Sequence, residues 1–163
     1  MIGLYLLVFI AAQRLAELWL ARRNTNALME RGAQEFGAGH YPLMVALHSA
    51  WLITLAVFAW DAPIQPVFLG LFIVLQLLRV WVIATLAERW TTRIIIINEP
   101  VVLSGPYRFM RHPNYAVVLA EIAVVPLALG QPVLALVFTV LKAGVLWVRI
   151  KAEDAALQTI QAT

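Results

Sequence analysis

Cysteine is absent from the chain, and Asp, Glu, Lys and Arg together fill only 13% of its 163 positions. The first absence removes disulfides, thiolate zinc sites, iron–sulfur clusters and thiol nucleophiles at once, and leaves the redox compartment open. The second removes the charged surface that a soluble domain of this length needs. Histidine is scarce as well, with three residues for any metal or proton chemistry. Apolar residues fill the space instead: they reach 63% of the chain at a mean hydropathy of +0.84. A bilayer is therefore the solvent that suits most of the surface, and disordered, collagen-like and coiled-coil classes are excluded. The net charge is +3, but the basic residues punctuate apolar runs and form no single stripe. That pattern argues for membrane orientation and against nucleic acid as a partner.

The runs predict an all-α integral membrane protein, a single domain over residues 1–163, with five transmembrane helices at about 2–20, 41–60, 67–87, 114–129 and 133–148. The first run has no basic residue before it and no small-residue cleavage pattern after it, so it reads as a retained span and not a signal peptide. The last two runs are joined by Gly130-Gln131-Pro132 and read as a helical hairpin. Each arm is about 24 Å long at 1.5 Å per residue. Arg22, Arg23 and Arg31 fall in the first connection and Arg89, Arg93, Arg108 and Arg111 in the third, while the second and fourth carry no Lys or Arg. The basic loops then face the cytoplasm, with the N-terminus outside and Arg149 and Lys151 inside. Trp19, Trp51, Trp60, Trp90 and Trp147 fall near span ends, as an interfacial belt requires. Ahead of the hairpin, Ile94 to Ile97, a turn at Asn98-Glu99-Pro100, and Val101 to Leu103 predict a short cytoplasmic β-hairpin, since open strand edges are not tolerated in lipid.

Ionisable side chains inside spans cost about 2.5–3.5 kcal/mol each, so each needs a partner or a task. Arg14 and Glu17 share one helical face and can neutralise each other. Arg79, with Gln76 one turn earlier, sits midway along the third span, where it either has a structural partner or holds an anion of the substrate. Glu121 shares a face with Asn114; it is either a candidate base near a ligand or the buried partner of Arg79 or Lys142. Lys142, Arg149 and Glu153, at i, i+7 and i+11, form a polar stripe on the last helix. Its plain reading is a snorkelling Lys142 and an exposed pair of Arg149 with Glu153. His40 and His48 are about 12 Å apart along a helix, too far to chelate one ion, so no metal site is expected. His40 follows a flexible Gly37-Ala38-Gly39 and is either an interface residue or part of a loop that folds over a substrate.

The densest cluster of special residues runs from Ser104 to Tyr115. Gly105 permits close backbone approach, Pro106 stiffens the next turn of chain, and His112-Pro113 places a proline at a helix start. Free N–H groups there, reinforced by Arg111 and His112, suit an anion such as a ligand carboxylate. Tyr107, Phe109 and Tyr115 offer aromatic faces to an adenine ring or a cationic centre. An ordinary loop-to-helix connection accounts for the glycine and proline equally well.

Gly105-Pro106-Tyr107, then Arg111-His112-Pro113-Asn114-Tyr115, and after the hairpin Arg149-Ile150 with Glu153-Asp154 and Leu157, resemble the isoprenylcysteine carboxyl methyltransferase family. The resemblance covers about residues 91–157; upstream, Gly37 to Pro42 and Trp90 to Arg93 are similar to its small bacterial members. It implies S-adenosylmethionine as cofactor, S-adenosylhomocysteine as product, a lipophilic or lipid-linked acceptor arriving from the bilayer, and residence in a bacterial inner membrane. By the same resemblance Gly105, Pro106, Tyr107, Arg111, His112, Pro113, Asn114 and Tyr115 surround the cofactor, and Arg149 and Glu153 lie near the reacting end. Asp154 stands where the family has a second glutamate, and the aromatic-rich tail of longer members is missing after Leu157, which leaves the prenyl-cysteine specificity open. A carboxylate acceptor arrives ionised, whereas a phenol needs a base, for which Glu121, Glu153 and His112 are candidates. Two other classes compete. A small proton-coupled exporter would use Glu17 or Glu121 as its intramembrane carboxylate. A membrane reductase would bind NADPH in the C-terminal region, but no glycine-rich dinucleotide fingerprint is present.

Overall fold

The computed structural model describes residues 2–161, with side chains to residue 158. Five α-helices and one two-stranded sheet make up the described chain: α1 (Ile2–Glu30), β1 (Gln34–Phe36), α2 (Tyr41–Ala59), α3 (Pro66–Leu86), β2 (Ile94–Ile96), α4 (Pro113–Ala128) and α5 (Pro132–Gln161). Short 3-10 turns at Ala38–His40, Ala87–Arg89 and Gly105–Arg108 lie between them.

Helix ends fall at the residues that forbid continuation. Prolines open α3, α4 and α5 at the first helical position, where a missing N–H costs nothing. Between Leu20 and Glu30 there is no glycine or proline, so α1 runs ten residues past its expected end. Arg22 and Arg23 are consequently helical and do not belong to a connection. Gly130, at φ 67, reverses the chain between α4 and α5. Its left-handed backbone lets the Gln131 N–H return to the Pro126 carbonyl at 2.8 Å, which satisfies an orphaned acceptor at the helix end.

The five expected spans divide by length. Four stretches are long and apolar enough to cross a bilayer: Ile2–Glu30, Ala38–Ala59, Pro66–Arg89 and Pro132–Gln158. α4, expected as a fifth span, has only 16 residues, and it packs against both α3 and α5. The hairpin is therefore unequal. α5 continues well past residue 148 because nothing in Arg149 to Ala156 breaks a helix.

The expected β-hairpin does not form. Ile94–Ile96 pairs antiparallel with Gln34–Phe36, in the register Gln34 to Ile96 and Phe36 to Ile94. The partner is set by burial. Ile94 and Ile96 pack with Phe36 against Ala152, Ala156 and Leu157 on the last turns of α5. Residues 101–103 remain outside the sheet; Pro100 has no N–H to give a ladder, and Glu99 is engaged by arginines.

A buried cluster containing Leu6, Ile10, Trp51, Leu55, Phe72, Ile122, Val125 and Phe138 joins all five helices toward one end of the bundle. Trp51 and Trp90, expected in an interfacial belt, are each only 2% exposed, Trp51 within this cluster and Trp90 wedged against Ala21 and Val82. Trp19, Trp60 and Trp147 are on the surface. α1, α3 and α5 run away from the apolar end, and α2 and α4 run toward it. The sheet, the start of α4 and the end of α5 thus meet at the opposite, polar end. Arg22, Arg23, Arg31, Arg89, Arg93, Arg108, Arg111, Arg149 and Lys151 all lie toward that end; the other basic residues, Arg14, Arg79 and Lys142, are at mid-bundle.

Candidate active site

The polar end is braced before it is hollowed. Asn24, buried on α1, donates to the carbonyls of Ala87 at 3.0 Å and Trp90 at 2.9 Å, which fixes the strand-bound segment as it leaves α3. The Tyr41 hydroxyl lies 3.2 Å from Thr92 Oγ1, and the Arg93 guanidinium covers the Tyr41 ring at 4.7 Å. Glu99 is bound by Arg89 and, at 2.5 Å, by Arg31, so the loop before the 3-10 turn is pinned to α1 and to the end of α3. The Arg89 hydrogen bond, reinforced by Arg31, holds the Glu99 carboxyl below the usual carboxylate range. Gly105 packs against Thr85; a Cβ there would lie 2.5 Å from Thr85 Oγ1, and φ is +55. Only glycine meets both conditions.

Behind these braces lies a cavity of about 480 Å³, within the range of small-molecule sites. Its walls are the isoleucines of β2, residues 101–103, Tyr107, the start of α4 and the α5 residues Arg149, Glu153, Asp154 and Leu157. The polar groups converge on Tyr115. Its hydroxyl donates to Glu153 Oε2 and accepts from Arg149 Nε at 2.7 Å. The His112 ring stacks on it, 5.4 Å between centroids and 14° from parallel. Asp154 Oδ1 is 3.2 Å from Arg111 and 3.4 Å from His112 Nε2, close enough for charge attraction. Neither Asp154 Oδ1 nor His112 Nε2 has a hydrogen-bond partner, although both are buried. Both atoms therefore have hydrogen-bonding capacity to spare at the cavity wall. Burial, with the Glu153 carboxylate nearby, pushes the Tyr107 phenol well above its ordinary value, so it is a neutral donor at physiological pH.

A second cavity, of about 330 Å³, lies deeper among α1, α2, α4 and α5. Trp90, Thr91, Asn114, Tyr115 and Arg149 line both, so the two spaces adjoin at the Tyr115 and Arg149 side chains. Arg149, 3% exposed, also donates to Met44 Sδ at 3.3 Å from the wall of the second cavity.

Apart from Lys142 and His48, the buried ionisable residues of the spans divide into two groups. Arg14, Glu17, Arg79 and Glu121 form one closed network across α1, α3 and α4. Arg79 donates to both Glu17 oxygens at 2.5 and 2.9 Å and to Glu121 at 2.6 Å. Arg14 binds the same two carboxylates at 2.6 and 2.9 Å, and Gln76 donates to the other Glu121 oxygen at 3.1 Å. Charge balances within this group, and every carboxylate oxygen is engaged. Glu121 thus stands with Arg79, apart from Glu153. Arg149 and Glu153 belong to the second group and are joined through Tyr115, not exposed as an i, i+4 pair.

Of the residues singled out in the sequence, Tyr107, Arg111, His112, Asn114, Tyr115, Arg149 and Glu153 line the first cavity. Gly105, Pro106 and Pro113 shape its backbone without lining it, and Arg79 lines the second. His40 lies in the 3-10 turn before α2 and lines neither. No group of His, Asp and Glu capable of holding a metal ion occurs among the described residues. Sequence reasoning missed Asn24, a lone polar residue on a helix whose partners are backbone atoms more than sixty positions away. It also missed β1, three residues long and without alternation.

The family model described as isoprenylcysteine carboxyl methyltransferase (ICMT) family matches residues 68–159, from α3 to the end of α5. The chain is 37% identical to the uncharacterized protein YpbQ of Bacillus subtilis over 159 residues, covering 94% of this chain and 95% of that one. It is 28% identical to an uncharacterized protein of Haemophilus influenzae over 155 residues, covering 91% of this chain and 90% of the other. No solved structure gives a significant match.

Proposed function

Since the chain belongs to the isoprenylcysteine carboxyl methyltransferase family, we propose that it is an S-adenosylmethionine-dependent O-methyltransferase whose acceptor is a lipophile carrying a carboxylate or a phenol. The observation that supports this reading is the cavity around Tyr115, with its aromatic wall and two buried polar atoms, Asp154 Oδ1 and His112 Nε2, that make no hydrogen bond and meet only each other and Arg111 at ion-pair distance. The residues fit the donor. His112 and Arg111 suit its carboxylate, Asp154 its ammonium or ribose hydroxyls, and the β2 isoleucines with Tyr107 an adenine ring.

S-adenosylmethionine, when bound, would supply a methyl group carried on a sulfonium sulfur, which leaves as a neutral thioether on in-line displacement. The protein's share is alignment and exclusion of water. Arg149, held by Tyr115 and Met44 where the two cavities adjoin, orients the acceptor oxygen. Glu153, whose carboxylate already accepts from Tyr115, sets the charge of that junction and takes a proton through the phenol if the acceptor arrives neutral. The apolar surface of the second cavity receives the acceptor's hydrocarbon.

The positive-inside rule supports a cytoplasmic position for the basic end and with it for the site, and the membrane we infer is a bacterial inner membrane. The exporter reading lacks support: Glu17 and Glu121 are locked between guanidiniums, whereas an alternating carrier needs a carboxylate free to release its partner. Lipid mass spectrometry of cells with and without the protein, fed isotopically labelled methionine, tests the function. The reading requires a lipophilic species that gains a labelled methyl group only when the protein is present; identical lipid profiles contradict it.

A further inference from the structure

One loop at the polar end carries large apolar side chains on its surface. Leu103, Phe109 and Met110 are 74, 70 and 50% exposed, in the segment that leads from β2 to α4. Its depth follows from α3. From Pro66 to Thr85 that helix rises about 28 Å at 1.5 Å per residue, close to the roughly 30 Å of bilayer hydrocarbon. Gly105 packs directly on Thr85, so the 3-10 turn Gly105–Arg108 and the residues after it lie at the hydrocarbon edge and not out in water. On α1 the same level is marked by Asn24, which bonds the Ala87 carbonyl at the end of α3. Beside it the Arg23 guanidinium lies 5.9 Å from the Trp19 ring centroid, and on α5 the Lys151 ammonium lies 3.7 Å from that of Trp147. Both rings are exposed. The loop repeats this pairing of ring and cation in Phe109 and Arg108, at 4.8 Å. Arg108 is exposed and has no carboxylate partner among the described residues, whereas Arg31, Arg89, Arg93 and Arg111 each have one.

Large apolar side chains at that depth gain by entering the leaflet, and a basic residue beside them gains from anionic head groups. We propose that the segment from Leu103 to Met110 is an interfacial anchor: Leu103, Phe109 and Met110 enter the leaflet at the polar end, and the Arg108 guanidinium pairs with the phosphate of an anionic phospholipid. Its planar fork of donors suits a phosphate group. The docking stands independently of the methyltransferase reading, and its consequence rests on that reading. Tyr107 and Arg111, on either side of Arg108, Phe109 and Met110, line the first cavity, as does Leu103. Arg111 reaches Asp154 on the opposite wall at 3.2 Å. A seated anchor keeps this wall in place before the donor arrives, so donor binding no longer bears the cost of ordering it. Anionic lipid thus tightens the hold on the donor.

The absence of cysteine makes a single-site label straightforward. Met110→Cys carries a nitrobenzoxadiazole label, with Arg108 and Phe109 intact, in nanodiscs of phosphatidylcholine with or without phosphatidylglycerol. Glu30→Cys, exposed at the last residue of α1, is the water-facing reference. The label at position 110 is expected to emit further to the blue than the reference and to be quenched by spin-labelled lipid chains, both more strongly when phosphatidylglycerol is present. Arg108→Gln should remove that dependence on phosphatidylglycerol. In unlabelled protein, S-adenosylhomocysteine should bind about fivefold more tightly in the phosphatidylglycerol discs, the worth of one arginine at an anionic surface. In Arg108→Gln it should bind equally in both. If Met110→Cys fails to fold, Leu103→Cys carries the same comparison. A label that matches the reference in both discs overturns the anchor. Insertion indifferent to phosphatidylglycerol or to Arg108→Gln overturns the pairing with anionic lipid, and equal donor affinity in both discs overturns the coupling. No donor binding in either disc strikes the methyltransferase reading alone, and the label still decides the docking.

Discussion

Arg149 donates its Nε proton to the Tyr115 hydroxyl, 2.7 Å away, and lays its guanidinium over the same ring, 5.3 Å from the centroid. One residue lies in the first turn of α4 and the other past the middle of α5, so this pair ties the two helices together toward the polar end. It also separates the two cavities. Tyr115→Phe keeps the ring and removes the bridge, leaving Arg149 and Glu153 each short of a buried partner. The cost is about 1–3 kcal/mol of stability. A lowered thermal midpoint, with methyl transfer falling further than donor binding, is the expected result. Equal losses in both would reduce Tyr115 to a cofactor contact.

Arg79 shares with Arg14 the neutralisation of two buried carboxylates, Glu17 and Glu121. Arg79→Met strands Glu17 and Glu121 with Arg14 alone, and removing one partner of such a buried network costs about 3–5 kcal/mol. Denaturation in detergent should register the loss, and adding Glu121→Gln should recover part of it by removing the unpaired charge. A mild effect from the single change would mean that the network is not what joins α1, α3 and α4.

Glu99 makes the loop over the first cavity sensitive to acid. Its native pKa lies below the ordinary value of 4.5, with the Arg89 hydrogen bond the leading cause. A depressed value means that the contribution is complete above 4.5 and is lost as pH falls through the lower native value. Amide exchange in residues 97–103 should therefore speed up on acidification beyond its intrinsic rate. Glu99→Gln should show the loosened pattern already at neutral pH, and unchanged protection in that variant would rule the pin out.

The membrane class, the main helices and the cavity-lining string from Tyr107 to Tyr115 are legible in the sequence, because apolar run length and proline placement are local properties. The partner of Ile94 to Ile96 is hidden there. Three β-branched residues specify a strand but not its neighbour, and the turn at Asn98-Glu99-Pro100 imitates a hairpin while Glu99 is in fact drawn away by Arg31 and Arg89. The buried charges are each noticeable, yet their pairing is only half visible. Arg14 and Glu17 lie on one helix face and can be matched by spacing. The link from Arg79 to Glu121 depends on α3 and α4 lying side by side, which no periodicity encodes. For the same reason, Lys142 and a snorkelling lysine look alike in sequence, and the difference emerges only once α5 is placed against the second cavity.

The central claim is that the hollow beside Tyr115 is a donor site. Calorimetric titration of S-adenosylhomocysteine into the detergent-purified chain addresses it most directly, with His112→Ala and Asp154→Asn run alongside. The predicted result is saturable binding of one ligand per chain, weakened about tenfold or more in either variant, since each loses a bond to a charged group. No heat at millimolar ligand, or affinity that both variants retain in full, would contradict it.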